Sequence, residues 1–286
     1  LVTDSGLQDD APGPQFISAT GGNTVITCGN FKTHIFTSPG TFCVSDAGNS
    51  SGSNGVEYMV VAGGGGGGNG CAGGSGGAGG MRLRTVCGSA SPLNAPAPLQ
   101  VTATAFPIQV GAAGPGAPSS APGGSSLRGG DGSQSVFSSI TSAGGGSGGA
   151  GSPASPQGNS GNNGGSGGGG GHSNGAGGSG NTPPVSPSQG NDGTPGAPNV
   201  NDKGGAGGGA ATAGSPTAPQ ADGGAGTYIP TTFIGPTAPS YGEAGPQGRF
   251  FAGGGGGSVR VAPANPIGSG GLGGGADGVN GPASGG

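Results

Sequence analysis

The chain has 286 residues, of which 81 are glycine and 26 proline, with 29% hydrophobic residues, 4% aromatic residues and no tryptophan. That inventory excludes an ordinary globular core of this size, although the length admits one or two domains. With 6% charged residues and a net charge of −4, no basic stripe exists for nucleic acid or anionic lipid, and no apolar run approaches the ~20 residues of a membrane-spanning helix.

Residues 1–22 are polar, with Asp4, Asp9 and Asp10, and read as an N-terminal arm or linker. Leu1 is preceded by neither Met nor an apolar leader, as expected of a processed end or a piece of a longer product. Residues 23–28 and 32–36 are rich in β-branched and aromatic types and predict strands. Ser38-Pro39-Gly40-Thr41 carries the type II turn pattern, returning the chain through residues 41–44. Residues 56–62 predict another strand, and residues 81–86 and 99–110 add more. The first division of the chain is therefore β-rich, 23–143. From 144 to 286 glycine runs alternate with Pro/Ser/Asn connectors that favour turns, with one aromatic connector at 228–247. Residues 249–252 then re-enter the sheet and 258–261 offer a last strand. No significant α-helix is expected, and everything from residue 23 forms one continuous domain.

One join recurs along the chain. Residues 56–62 run into the glycines 63–68, residues 135–143 into 144–146, and residues 249–252 into 253–257, with a looser copy at 106–114. A glycine run cannot hold an α-helix, at about 1 kcal/mol per residue relative to Ala. Gly/Ser-rich composition also suits a flexible linker. The spacing of the runs between apolar strands favours an ordered state instead, the polyproline II helix with its ~3.1 Å rise and no internal hydrogen bonds. Its amide groups then need partners, and neighbouring glycine backbones, lacking Cβ, can approach closely enough to supply them. A bond worth a net ~0.5–1.5 kcal/mol must offset ~1–2 kcal/mol of backbone entropy per residue, so only a bundle stitched on several sides holds. The expected fold is mainly β: a small antiparallel β-sandwich or sheet interleaved with roughly ten short polyglycine II helices. Collagen is excluded, because glycine does not recur at every third position.

Chemistry-bearing patterns are sparse. No phosphate-loop motif is present. Gly129-Gly130-Asp131-Gly132 resembles one copy of a calcium-binding repeat that needs many, so no metal is expected. His34 and His172 have no carboxylate partner nearby in sequence and read as sheet or surface histidines. Asn49-Ser50-Ser51 fits a glycosylation acceptor, a triplet that also arises by chance. No catalytic constellation and no cofactor site emerges, so the protein is not expected to be an enzyme. Cys28, Cys43, Cys71 and Cys87 lack zinc-site spacing. Pairing Cys28 with Cys43 and Cys71 with Cys87 would close loops of about 15 residues, each worth roughly 3 kcal/mol, while reduced thiols are the alternative.

Residues 34–42, His-Ile-Phe-Thr-Ser-Pro-Gly-Thr-Phe, followed by Tyr58-Met59-Val60-Val61-Ala62-Gly63, resemble the glycine-rich domain of bacteriophage tail-fibre and tail-tip proteins, especially those of marine and aquatic phages. Residues 135–144 and 180–184 match the same pattern, and the resemblance covers most of the chain from about Asn23. It implies a distal virion adhesin, extracellular, in which loops between stacked glycine helices recognise a bacterial outer-surface protein or glycan. Other virion tail proteins and a homotrimeric state are the implied partners. The aromatic connector departs from the pattern, where a shorter Ser/Gly link is expected. Receptor contact is therefore assigned to Tyr228, Phe233, Tyr241 and Glu243, against the alternative that these aromatics cap the bundle. A purely structural fibre module is the second functional reading. An ice-binding protein is the third, since a polyglycine helix bundle can offer flat faces; it ranks last because Thr102-Ala103-Thr104 is a single Thr-x-Thr triplet, too few for a regular array.

Overall fold

The structure, a computed structural model, describes residues 13–86, 93–118, 126–152, 159–172, 174–197, 203–215, 221–230, 233, 240–260 and 266–280. Its regular elements are strands: β1 (Ile17–Thr20), β2 (Thr24–Cys28), β3 (Phe31–Ile35), β4 (Gly40–Ala47), β5 (Gly55–Val56), β6 (Tyr58–Val61), β7 (Met81–Arg84), β8 (Leu99–Gln100), β9 (Ala105–Gln109), β10 (Ser135–Phe137), β11 (Ile140–Ser142), β12 (Thr227–Ile229), β13 (Glu243–Gly245) and β14 (Gly248–Phe251). The mainly β character, without significant α-helix, expected from the sequence is what the protein has, and no helix among the described residues is long and apolar enough to cross a membrane.

A five-stranded antiparallel sheet in the order β1-β4-β9-β10-β11 forms the largest layer, and β12-β14-β13 forms a second. The pairs β2-β3, β5-β8 and β6-β7 complete the set. Alternation dictates the buried faces. Phe42 and Val44 in β4 point inward while Thr41, Cys43 and Ser45 face out, and Met81 and Leu83 do the same in β7. One apolar cluster gathers Ala19, Phe42, Val44 and Val101, with Phe36, Phe106 and Phe137 packed against it. The Phe137 ring meets Phe42 edge-on at 5.8 Å and Phe106 at 6.1 Å, the offset arrangement that aromatic quadrupoles favour. A second cluster joins Met81, Leu83, Leu93 and Ile229, bringing β7 against β12.

Several sequence expectations need correction. Ile17–Thr20 belong to the sheet as β1, paired with β4 across a bulge, so the polar arm is shorter than residues 1–22; residues 1–12 lie outside the described residues. Ser38-Pro39-Gly40-Thr41 makes no type II turn. Gly40 opens β4 without the positive φ that turn requires, and β3 and β4 lie in different sheets. The reversal instead falls at Gly29, φ 57°, between β2 and β3. Residues 135–142 form a hairpin, not one strand, turning at Ser138 with φ 54°. The last strand expected at 258–261 reduces to bridges from Val259 to Lys203 and Asn280, while Val261 lies outside the described residues.

The glycine tracts continue the strands. The β6-β7 ladder pairs Val61 with Met81 and runs on in the same register: Ala62 donates to the Gly80 carbonyl at 3.0 Å, Gly65 to Gly77 at 2.9 Å and Gly68 to Gly74 at 2.9 Å. The donors, spaced two apart in an antiparallel ladder, are now spaced three apart. The β9-β10 ladder extends likewise through Ser133 to Ala112 and Gly130 to Pro115, and β10-β11 through Gly132 to Gly145 and Gly129 to Gly148. The β12-β14 ladder extends through Gly254 to Gly224 and Gly257 to Ala221.

Residues 164–171 form a fully buried tract at the centre. Ser166, Gly169 and His172 donate to Ala78, Ser75 and Ala72; Gly167 and Gly170 donate to Asn191 and Thr194; Gly168 and Gly171 donate to Asn162 and Asn159. Its carbonyls accept in turn from three further segments. Gly146 and Gly149 bond Ser166 and Gly169, Gly208 and Gly205 bond Gly167 and Gly170, and Gly178 and Gly175 bond Gly168 and Gly171. Both donors and acceptors repeat every third residue, and neighbours stand on all sides. Side chains join in where three tracts meet: the Ser75 hydroxyl donates to Gly255 at 2.8 Å and accepts from the Gly207 amide at 3.0 Å.

Candidate functional site

The connector 228–247 begins in β12 and ends beside β14; Tyr228 lies on β12, while Phe233 and Tyr241 lie between β12 and β13. Tyr228 is half-buried with its ring 5.9 Å from Phe250. Phe233 packs against the Met81–Ile229 cluster, and its carbonyl accepts from the Thr33 hydroxyl at 3.0 Å. The Tyr241 hydroxyl meets the Thr24 hydroxyl at 3.2 Å, and its carbonyl accepts from Arg249 Nε at 2.7 Å. Both Phe233 and Tyr241 thus fasten the β2-β3 hairpin to the rest of the molecule.

Glu243 is exposed in β13, and its carboxylate accepts the amides of Gly273 at 2.7 Å and Gly274 at 2.9 Å. Those two glycines have φ of 116° and 94°, in the left-handed half of the map that side chains resist, which turns both N–H groups onto one carboxylate. The Gly273 and Gly274 bonds hold Glu243 below the usual carboxylate range, with help from Arg249 and opposition from slight burial and Asp277. A second carboxylate, Asp131, accepts from the Ser147 amide at 2.8 Å and from Asn162. Burial alone would raise its pKa, but those bonds and the Arg128 charge outweigh it and the net direction is downward. Asp131 therefore pins glycine tracts together.

The hairpin overhangs a cleft of about 550 Å³. Phe36, Phe42 and Phe137 line it from the sheet side, Phe233, Tyr241 and Phe251 from the connector side. Phe16 and Phe31, 66% and 54% exposed, stand at the opening with exposed Lys32, while Tyr58 and Val60 are buried at depth. The fasteners that hold the hairpin off the sheet are largely polar. His34 Nδ1 donates to the Gly21 carbonyl at 2.7 Å, and its ring meets Phe42 edge-on at 5.2 Å. A sealed, dry cavity of that size would cost on the order of 10 kcal/mol, so the cleft is open to water and ready to exchange it for apolar surface.

Of the residues singled out in sequence, the structure brings Phe233 and Tyr241 into this cleft and leaves Tyr228 and Glu243 out of its lining. Sequence reasoning missed Phe16, Phe31, Lys32 and Phe36. The available signal was local aromatic density, since three of the nine phenylalanines, Phe31, Phe36 and Phe42, fall close together. The expected Cys28–Cys43 bridge is not made. Cys28 ends β2 in the hairpin, Cys43 lies exposed in the large sheet, and both thiols are free, as is Cys71; Cys87 lies outside the described residues. Asn49 is committed elsewhere: its Nδ2 donates to Gly13 at 2.9 Å and its Oδ1 accepts from Gln15 at 3.0 Å.

A family model described as a glycine-rich domain matches residues 37–286, most of the chain. The chain belongs to the glycine-rich domain family. No curated protein and no solved structure matches it. In this glycine-rich domain the matched stretch takes in β4 to β14 and all the tracts, while β1, β2 and β3 precede it. The cleft lies where that preceding hairpin overhangs the matched part.

Proposed function

We propose that this chain is a distal tail-fibre or tail-tip module on the outside of a bacteriophage virion, recognising a protein or glycan on the bacterial surface. It acts by binding, without catalysis or cofactor, alongside other virion tail proteins and as a homotrimer. In this reading the tracts are polyglycine II helices, threefold and laterally bonded. The three-residue period of their amide bonds and the tracts enclosing residues 164–171 on every side support that geometry. Such a framework is stiff without large side chains and can spend its aromatic residues where they meet a partner.

The observation that carries the reading is the open aromatic cleft beneath the β2-β3 hairpin, with Phe16 and Phe31 at its mouth. Recessed aromatic anchors ringed by polar groups dominate binding energies. The test is binding of labelled protein to a panel of aquatic bacteria. We expect saturable binding to some strains, reduced at least about tenfold by the Phe16→Ala/Phe31→Ala pair with the melting temperature unchanged. No binding to any strain, or binding that survives the double substitution, overturns it. A purely structural fibre module is the second reading, favoured by the internal contacts that Phe233 and Tyr241 make; it predicts no cell binding at all.

A further inference from the structure

We propose that the cleft under the β2-β3 hairpin is a binding site for an acyl chain ending in an anionic head, the chemistry of a fatty acid. This deepens the receptor-binding reading by naming the ligand class. The cleft, about 550 Å³, falls within the ~300–1,000 Å³ of small-molecule sites. Its depth offers Phe42, Val60, Val61 and Met59, an apolar surface that suits a saturated chain better than a sugar. Most polar side chains near it are already spoken for. Thr33 Oγ1 is bound to Phe233, the Tyr241 hydroxyl to Thr24, His34 Nδ1 to Gly21, and the Glu57 carboxylate accepts the Val86 amide at 2.9 Å. Among the described residues, Lys32 is the one Lys or Arg on the lining, exposed beside Phe31. Its ammonium complements a carboxylate at the rim, and an apolar interior with one cation at the opening selects an amphiphile by both ends. The exposed Phe16 and Phe31 rings would be covered by the chain as it enters, removing apolar surface from water.

Calorimetric titration of the purified chain with decanoate and with decanol, both below micelle-forming concentrations, tests the proposal. Decanoate is expected to bind saturably at one equivalent in the micromolar range, and decanol, lacking the charge, more weakly. Phe31→Ala should weaken both ligands by about tenfold. Lys32→Gln should weaken decanoate alone by about threefold at low salt, erasing most of the difference between them. Both side chains are exposed, so both variants are expected to fold, and an unchanged melting temperature checks this. No saturable binding, or binding indifferent to both substitutions, overturns the assignment. Because no cells enter the titration, its failure leaves surface recognition standing, whereas loss of cell binding with decanoate intact overturns only the receptor reading.

Discussion

At Gly167 a Cβ would stand 1.9 Å from the Gly178 carbonyl oxygen and 3.0 Å from the Gly193 amide nitrogen. Both atoms are backbone in neighbouring tracts, so no side chain can swing aside and a whole tract must move. At Gly116, on the rim, nothing lies within 4 Å of the same position. Gly167→Ala is therefore expected to cost about 3 kcal/mol or more, and Gly116→Ala to stay within about 0.5 kcal/mol of the parent. Urea denaturation of both variants decides this, and equal stabilities would remove close lateral packing as the source of rigidity. Not every tract position is closed to a methyl: Ala72, Ala150 and Ala206 are fully buried. Composition alone does not separate the two kinds of position, because the difference lies in which neighbour faces each residue.

Strands and tracts are single elements that change period along their length. The joins at residues 56–68, 135–146 and 249–257 were legible because an apolar strand pattern stops where glycine begins. That the pairing register passes through each join was not legible, since glycine carries no side-chain alternation to mark it. The same limit explains β1, where only Ile17 and Ala19 signal a strand among polar neighbours, and the hairpin cleft, which depends on contacts between residues far apart in the chain. One such contact titrates. Glu243 ties β13 to the turn at Gly273 and Gly274, and its folded pKa lies below its ordinary 4.5. A depressed carboxylate contributes its full stability above the unfolded value and loses it as pH falls through the folded one. Glu243→Gln should thus cost about 1 kcal/mol at pH 7, a modest figure because the group is exposed and screened. The gap between parent and variant should hold from pH 7 to pH 5 and close below pH 4.5. Taking the difference cancels Asp131, which is depressed in both proteins. A gap that persists at pH 3 would detach the effect from the carboxylate's charge.

Across the whole molecule, stability is distributed in an unusual way. The apolar clusters are small, around Phe42, around Met81 and around Tyr58. The tract 164–171 is enclosed by backbone on every side and has almost no side chain of its own. In most proteins the slowest-exchanging amides belong to core strands and helices. Here the amides of Gly167, Gly168, Gly169 and Gly170 are expected to exchange as slowly as those of β4, by global unfolding only, because releasing one tract breaks bonds to its neighbours at once. The β2-β3 hairpin, held by a few polar fasteners, should exchange first by local opening. Hydrogen exchange followed by NMR, with glycine amides assigned, checks both ends of this order. Central glycines that exchange ahead of the hairpin would mean that the tracts are carried by the sheets; the reverse order means that the glycine framework carries them.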